Sequence, residues 1–274
     1  MLRPGGLGLT RALLSHCELA GRQVVELAPG LGRTAKEILA AGPASYTGVD
    51  RDPAAVRQAR TVVAPFGGQV VEGQAGATGL DDESADVVIG EAMLTMQSPR
   101  GKAEIVAEAV RVLRPGGSYA IHELALRADR SPEELEKIRR SISRTIKVGA
   151  RPLTAPAWKE LLREAGLEVT WTGTASMSLL EPSRIIEDEG VLGALRFWRN
   201  MRRTPGARDR VNAMRQSFRL QGEALSAIGM VARKPESPAP EETTAQAASA
   251  TEGAAGTKDT ADARDTSDHE APAS

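Results

Sequence analysis

Residues 24–35 read VVELAPGLGRTA, and this stretch decides the fold. A short apolar run carries one acid, Glu26, near its end and leads into a turn whose glycines, Gly30 and Gly32, are spaced G-x-G. Glycine lets a ligand approach the backbone closely, and the first turn of a helix presents unpaired N–H groups to a polar or anionic group. The stretch predicts a buried strand, a ligand-binding turn and a helix, although an ordinary strand–turn–helix corner has the same outline.

Short β-rich runs alternate with helical patterns from about residue 10 to residue 126. This alternation is typical of an α/β fold with a mostly parallel sheet and helices on both faces. The first helix is predicted to start at Thr10, an N-cap candidate, and residues 114–117 (RPGG) are predicted to break the chain before the fifth strand. The remaining segments are strand Gln23–Leu27, helix Arg33–Ala41, strand Ser45–Val49, a helix from Asp52-Pro53 to about Ala64, strands Gln69–Glu72 and Ala85–Ile89, helix Pro99–Leu113 and strand Ser118–Leu124.

The rhythm changes beyond residue 126. Residues 131–134 (SPEE) are typical of a helix start, because serine caps the helix, proline fits its first position and acids favour its positive end. We expect this helix to run to about Val148. Further predictions are helix Ala155–Ala165, strand Leu167–Gly173, a largely helical stretch over 182–222 and a last strand Glu223–Lys234. The helical segments 1–20, 131–150 and 182–222 are candidates to cover a substrate.

The last forty residues, 235–274, differ from the rest of the chain. They contain no Val, Ile, Leu, Met, Phe, Trp or Tyr, and they carry nine acidic residues against two basic ones. Such a segment cannot form a core, and we expect a disordered, acidic, low-complexity tail. Residues 1–234 are therefore predicted to form one domain, with a cofactor half at about 10–126 and an acceptor half at about 127–234.

Composition excludes several classes of protein. The single cysteine, Cys17, rules out an internal disulfide and a multi-cysteine zinc site, and three scattered histidines, His16, His122 and His269, predict no metal centre. No apolar run approaches the ~20 residues that a membrane-spanning helix needs, and residues 1–6 do not resemble a secretory signal. A cytoplasmic protein without a membrane span is expected, and the sequence leaves its oligomeric state open.

An acid downstream of the glycine turn suggests what the turn binds. Asp50 lies at the end of the next predicted strand, where a carboxylate can accept hydrogen bonds from the two hydroxyls of a ribose. Gly30-x-Gly32-x-x-Ala35 is compatible with a dinucleotide site, in which a pyrophosphate rests on the helix N-terminus. Glu26 would face those phosphates unfavourably, whereas it suits a ligand that carries a cationic ammonium group.

Five segments together resemble the class I S-adenosylmethionine-dependent methyltransferases. The first is Glu26–Gly32, in which Ala28 stands where the family usually has its first glycine, and Asp50 matches the ribose-binding acid of the family. The others are Gly73-Gln74-Ala75, with Gln74 in place of an acid, the fourth strand at Asp86–Ile89, and Leu113–Gly117 before the fifth strand.

The resemblance implies a Rossmann-like three-layer sandwich with a seven-stranded sheet, six strands parallel and the last antiparallel. It implies S-adenosyl-L-methionine as cofactor and a common set of cofactor-binding positions. In this sequence they are Glu26, Ala28, Gly30, Gly32, Asp50, Arg51, Gln74, Ala75 and Glu91.

The acceptor site is expected above the carboxyl ends of the fourth and fifth strands. Glu91 and Thr95 follow the fourth strand, and His122 and Glu123 follow each other near the end of the fifth, where alternation directs them to opposite faces. One of these groups is predicted to deprotonate or orient the acceptor, and a purely structural role for His122 is an equal alternative. An Asn-Pro-Pro-Tyr-type run is missing after the fourth strand, which argues against nucleobase and glutamine N-methylation.

Two further patterns bear on the acceptor. Met93, Met96 and Met177, with Leu179 and Leu180, form either an apolar acceptor pocket or plain core. Arginines between 196 and 219 form either a solvated helix pair or a site for an anionic acceptor, and no nucleic acid is expected. The function predicted is methyl transfer to a small or medium organic acceptor, apolar or anionic. The alternatives are a non-catalytic protein that binds the cofactor and, less favoured, a nicotinamide-dependent oxidoreductase.

Overall fold

The computed structural model describes residues 4–146, 149–176 and 224–236, together with Arg199 and Arg203. Apart from Arg199 and Arg203, the predicted helical stretch 182–222 lies outside the described residues, as do Met177, Leu179, Leu180 and the acidic tail beyond residue 236. Among the described residues, no helix is long and apolar enough to cross a membrane.

The described chain alternates between helices and strands as the sequence predicts. The helices are α1 (Gly6–Ser15), α2 (Arg33–Ala40), α3 (Pro53–Val63), α4 (Pro99–Val112), α5 (Pro132–Ile146) and α6 (Ala155–Glu164). The strands are β1 (Gln23–Leu27), β2 (Ser45–Asp50), β3 (Gln69–Glu72), β4 (Ala85–Glu91), β5 (Leu113–Leu126), β6 (Leu153–Thr154), β7 (Glu168–Ser176) and β8 (Leu225–Arg233). Short 3₁₀ turns cover Ala64–Phe66 and Leu94–Met96.

Seven of the strands form one sheet in the order β3-β2-β1-β4-β5-β8-β7, and the short β6 pairs with the end of β5. Strands β1 to β5 pair in parallel, whereas β8 runs antiparallel to both of its neighbours, β5 and β7. The predicted mostly parallel sheet with an antiparallel last strand is confirmed. The strand order reverses between β1 and β4, and in such sheets a ligand binds at the carboxyl ends on either side of the reversal.

Two apolar clusters cover the two faces of the sheet. One joins α4 and α6 to β4 and β5 through Ile105, Val106, Trp158 and Leu162. The other packs α1, α2 and α3 on the opposite face, with residues that include Leu13, Ile38, Val56 and Val63. The sheet is thus the middle layer of three, and its buried strands β1, β2 and β4 end at the site described below.

The start of α1 differs from the prediction. The helix begins at Gly6, not at Thr10, and Gly5 caps it in the left-handed region at φ +68°. A side chain at Gly5 would bring its Cβ within 2.7 Å of Ala227 Cβ in β8, so glycine allows the chain to pass close to the sheet before the helix begins. Thr10 consequently lies inside the helix and is buried, which frees its hydroxyl for contacts with the sheet.

The predicted break at residues 114–117 also takes a different form. Strand β5 starts at Leu113, and its register with β4 shifts from Ala85↔Leu113 to Val87↔Ser118, so the extra residues bulge out of the ladder. Gly117 is required there, because a Cβ would lie 2.9 Å from the carbonyl oxygens of both Arg114 and Asp86. The RPGG segment therefore acts as a bulge within the strand.

Candidate active site

The glycine turn between β1 and α2 is built from three residues with left-handed backbone. Ala28, Gly30 and Gly32 have φ values of 56°, 55° and 71°. A Cβ at Gly32 would press against the side chain of Val62 at 3.1 Å, whereas a Cβ at Gly30 would meet only the Ala28 carbonyl oxygen, at 3.9 Å. Gly32 is therefore needed for packing, and Gly30 borders open space. The positive φ of Ala28 is a conformation that glycine adopts with less strain than alanine.

Asp50 ties this turn to the end of β2. One of its carboxylate oxygens accepts a hydrogen bond from the Gly30 N–H at 3.0 Å, and the other accepts one from the Asp52 N–H at 3.0 Å. The side chain is buried except for a small fraction of its surface. Each oxygen retains a lone pair, so the carboxylate can still accept hydrogen bonds from a diol beside the turn.

Glu26 lies one strand away from Asp50 and is buried. Its carboxylate accepts a 2.5 Å hydrogen bond from the hydroxyl of Tyr46. Burial, together with the charges of Glu26 and Asp50, raises the pKa of Tyr46, so the phenol stays protonated and acts as the donor. This contact fixes the orientation of the Glu26 side chain in the sheet.

Glu91 forms the centre of a polar cluster at the end of β4. Its Oε2 accepts hydrogen bonds from the hydroxyls of Thr34 at 2.6 Å and Thr10 at 3.3 Å, and lies 3.8 Å from Nδ1 of His122. About a tenth of its side chain is exposed, 11%. The cluster joins α1, α2, β4 and β5 through one carboxylate.

His122 is completely buried behind this cluster. Its Nε2 lies 2.5 Å from the carbonyl oxygen of Pro4, and its Nδ1 lies 3.2 Å from the hydroxyl of Thr10. Since a carbonyl oxygen can only accept, Nε2 carries a proton and donates it. In the neutral ring Nδ1 is then an acceptor, and the single hydroxyl proton of Thr10 can go either to it or to Glu91. The imidazole thus has a partner at each nitrogen, and Pro4 and Thr10 shield it from solvent.

Glu123 binds the loop that follows β4 through hydrogen bonds. One oxygen accepts from the N–H groups of Met93 and Leu94 at 2.9 and 2.6 Å, and the other accepts from the N–H and the hydroxyl of Thr95 at 3.1 and 2.6 Å. Burial raises the pKa of Glu123, and these four donors oppose the rise. The carboxylate therefore clamps the backbone of residues 93–95, and we call this contact set the Glu123 clamp.

The predicted adenine side lies at the end of β3. The Gly73 N–H donates to the Asp50 carbonyl oxygen at 3.0 Å, and a Cβ at Gly73 would approach Val49 Cγ1 to 2.9 Å. Gln74 forms an isolated bridge with Ala77, and its side chain is exposed, as is that of Arg51. Ala75 is partly buried. These residues lie at the carboxyl ends of β2 and β3, the same edge of the sheet as Asp50.

The structure adds three residues that the sequence analysis did not assign to the site, namely Thr10, Thr34 and Tyr46. All three contact one of the predicted acids, through hydrogen bonds whose partners are 20 to 81 residues apart in the chain. Thr34 carried a signal, since it lies in the first turn of the helix after Gly32. Among the described residues no three His, Cys, Asp or Glu side chains are grouped so as to hold a metal ion.

The known protein families and sequences that resemble this chain include methyltransferases. A family model described as a methyltransferase domain matches residues 24–117. An uncharacterised protein of Haemophilus influenzae is 32% identical over 238 residues, which cover 85% of this chain and 93% of that protein. A phthiotriol/phenolphthiotriol dimycocerosates methyltransferase of Mycobacterium leprae is 35% identical over 121 residues, 43% of each chain. The chain thus matches less than half the length of this second relative.

A solved structure shares the fold at lower identity. It is a phospholethanolamine N-methyltransferase 2 of Haemonchus contortus, in complex with phosphomonomethylethanolamine and S-adenosylhomocysteine. The match has a TM-score of 0.65 and 14% identity, and it covers 85% of this chain and 54% of that one. At this identity the likeness concerns the fold alone.

Proposed function

We propose that this chain, a member of the class I methyltransferase family, transfers a methyl group from S-adenosyl-L-methionine to a small molecule and binds that cofactor at the carboxyl ends of β1, β2 and β4. The observation that carries the proposal is the link between Asp50 and the glycine turn. The Gly30 N–H donates to the Asp50 carboxylate, so the turn and the acid form one preorganised unit at the strand-order reversal.

The residues of the crevice suit the parts of this cofactor. Asp50 would accept hydrogen bonds from the ribose hydroxyls, while Arg51, Gln74 and Ala75 border the place of the adenine. The open space beside Gly30 would receive the ligand close to the backbone. The cofactor supplies an electrophilic methyl group on a sulfonium, so the main task of the protein is to orient the acceptor and exclude water.

Two carboxylates are available to complement the ammonium group of the cofactor. Glu26 is almost fully buried and already accepts from Tyr46, whereas Glu91 keeps some exposure and lies beside the first turn of α2. Glu91 is therefore the favoured partner, and Glu26 contributes a buried negative charge at β1. Gly32 and Ala28 shape the turn itself.

On the acceptor side, the four predicted residues divide by their contacts. Thr95 and Glu123 are engaged with each other and hold the loop after β4, which makes Glu123 a positioning residue. His122 supports Glu91 through Thr10 and has no exposed surface. A proton-accepting role for His122 requires α1 to move, and that role stays a prediction.

Two measurements test the proposal, one of cofactor binding and one of methyl transfer. Calorimetry would measure S-adenosylhomocysteine affinity, and methyl-labelled cofactor incubated with a cell extract would reveal whether label reaches a small-molecule fraction. We expect saturable binding and transferred label. Stabilisation by NAD without stabilisation by S-adenosylhomocysteine would contradict the cofactor assignment. Binding without label transfer from any extract would favour the non-catalytic alternative.

A further inference from the structure

A cavity of about 900 Å³ opens between α4, α5, α6 and the segment 149–153. Part of its wall is aliphatic, with Pro99, Ala103, Leu153, Ala157 and Leu161. Volumes of this size hold small organic ligands. None of the residues assigned above to the cofactor lines it, so the cavity is distinct from the cofactor crevice.

The polar part of the wall is predominantly basic. Five basic side chains line it, Lys102, Arg139, Arg140, Arg144 and Arg151, against the acids Glu136, Glu160 and Glu164. Several of these charges are already compensated, because Glu136 pairs with Arg139 and Arg140, and Glu160 pairs with Arg163. Within the part of the chain that the structure describes, the side chains of Arg144 and Arg151 form no ion pair. The cavity therefore presents uncompensated positive charge beside an apolar surface.

Lys102 adds a buried cation to this wall. It is 2% exposed, its Nζ donates to the Gln97 carbonyl oxygen at 2.8 Å, and it lies 5.7 Å from the centre of the Trp158 ring. Burial lowers its pKa to about 8. An anion in the cavity would stabilise the charged form of this side chain.

We propose that this cavity binds a small anion with an apolar body, such as a carboxylate or phosphate monoester on a short hydrocarbon chain. The aliphatic wall would take the body of the ligand, and Arg144, Arg151 and Lys102 would face its charged head. Guanidinium groups suit both head groups, because they donate two parallel hydrogen bonds. Such binding requires neither the cofactor nor methyl transfer.

The cavity is connected to the acceptor side of the proposed active site. The Arg151 N–H donates to the Thr95 carbonyl oxygen at 2.8 Å, and Lys102 holds the carbonyl of Gln97. Both contacts attach the cavity wall to the loop after β4, which the Glu123 clamp holds from the other side. A ligand there would adjoin a loop that is expected to border the acceptor.

Binding can be tested by calorimetry on the full chain without cofactor, with octanoate, octyl phosphate and octanol as probes. We expect one saturable site for the two anions and at least about tenfold weaker binding of octanol, which lacks the charge. The double variant Arg144→Gln/Arg151→Gln should weaken anion binding about tenfold and leave octanol unaffected. Both arginines are exposed, so the variant should fold, and its melting temperature verifies this.

The matched control is Lys137→Gln, which removes one positive charge from an exposed position of α5 outside the cavity wall. It should change anion affinity by less than about twofold, because its charge is solvated and screened. The proposal is overturned if no probe binds saturably, if octanol binds as tightly as the anions, or if the control loses as much affinity as the double variant. Labelled transfer from the cofactor is measured separately, so failure of this proposal leaves the proposed methyl transfer untouched.

Discussion

At the scale of single residues, Asp50 and Glu123 are both buried carboxylates at strand ends, but their partners give them different tasks. Each carboxylate oxygen of Asp50 accepts one hydrogen bond from a backbone N–H group and retains a lone pair for a ligand. Glu123 accepts two hydrogen bonds on each oxygen and has little capacity left. The sequence named both residues as functional, and only their hydrogen bonds distinguish binding from support.

Asp50→Ala should weaken S-adenosylhomocysteine binding by about 1.5–3 kcal/mol, because the ribose diol loses a charged acceptor. Calorimetry measures the change. Asp86→Ala is the control, since Asp86 is a partly buried carboxylate near the opposite end of β4, where it pairs with Arg114. An affinity equal to wild type in a folded Asp50→Ala protein would remove the ribose assignment.

Glu123→Gln should lower the free energy of unfolding by about 2 kcal/mol. The NH₂ group of the glutamine would face N–H and O–H donors whose hydrogen bonds a carboxylate oxygen accepts in the wild type. Cofactor affinity should stay within about threefold of wild type, since the clamp touches the loop after β4 and not the glycine turn. Urea unfolding and calorimetry test the two parts. A stability equal to wild type would mean that the four hydrogen bonds of the clamp contribute little.

Lys102 predicts a pH dependence of stability. Its folded pKa of about 8 lies below the ordinary value of 10.5, so between these pH values the unfolded chain retains a proton that the folded chain has lost. The free energy of unfolding therefore rises with pH across this window. From about pH 7 to about pH 10, wild type should gain roughly 2 kcal/mol relative to Lys102→Met.

The control for this prediction is Lys159→Met, at an exposed position of α6. The pH dependence of Lys102→Met is measured relative to that of this variant, which removes a lysine that the fold does not bury. The same pH dependence in both variants would show that the buried ammonium is not disfavoured by its surroundings.

At the scale of elements, the alternating pattern predicted the order of helices and strands from residue 23 to residue 126. Short sequence patterns predicted the helix starts that depend on neighbouring residues, such as those of α3 and α4, which the side chains of Asp52 and Ser98 cap. They did not predict features that depend on contacts between distant parts of the chain. Gly5 starts α1 early because β8 lies against it, and β6 has only two residues and exists through its pairing with β5.

Two glycines should respond in opposite directions to alanine. Gly117→Ala should destabilise the protein by about 1–3 kcal/mol, because the new Cβ would lie 2.9 Å from two backbone carbonyl oxygens that cannot easily withdraw. Gly8→Ala, inside α1 with no atom near the new Cβ, should stabilise by about 0.5–1 kcal/mol. Thermal unfolding measures both. Equal effects of the two variants would contradict the described bulge in β5.

At the scale of the whole molecule, the sequence predicted the fold and the glycine turn far better than the contacts among the other candidate residues. The glycines of this turn follow β1 and Asp50 ends β2, the next strand along the chain, so each part is marked by a local pattern. The polar cluster at Glu91 instead brings together Thr10, Thr34 and His122 from three other elements. Its geometry follows from the packing of α1 and α2 on the sheet, which no local pattern encodes.

The tail leads to a prediction for the whole chain. Removal of residues 238–274 should leave the melting temperature and cofactor affinity essentially unchanged, because this segment has no large apolar side chain with which to anchor itself. The truncated protein would be more basic, since the removed segment is acidic overall. Calorimetry measures the cofactor affinity of the full-length and truncated proteins, and thermal unfolding measures their melting temperatures. A marked loss of stability would mean that the tail docks on the folded part.

The Glu123 clamp has a consequence for how this protein can diversify. Three of its four hydrogen bonds are donated by backbone N–H groups of residues 93–95, which every amino acid except proline supplies. The conformation of that loop is therefore largely insulated from the side chains it carries. Mutations at partly exposed neighbours such as Met96 and Gln97 can alter the surface of this loop while its backbone keeps its shape. The clamp thus lets the side chains at the predicted acceptor site change without a change in the fold.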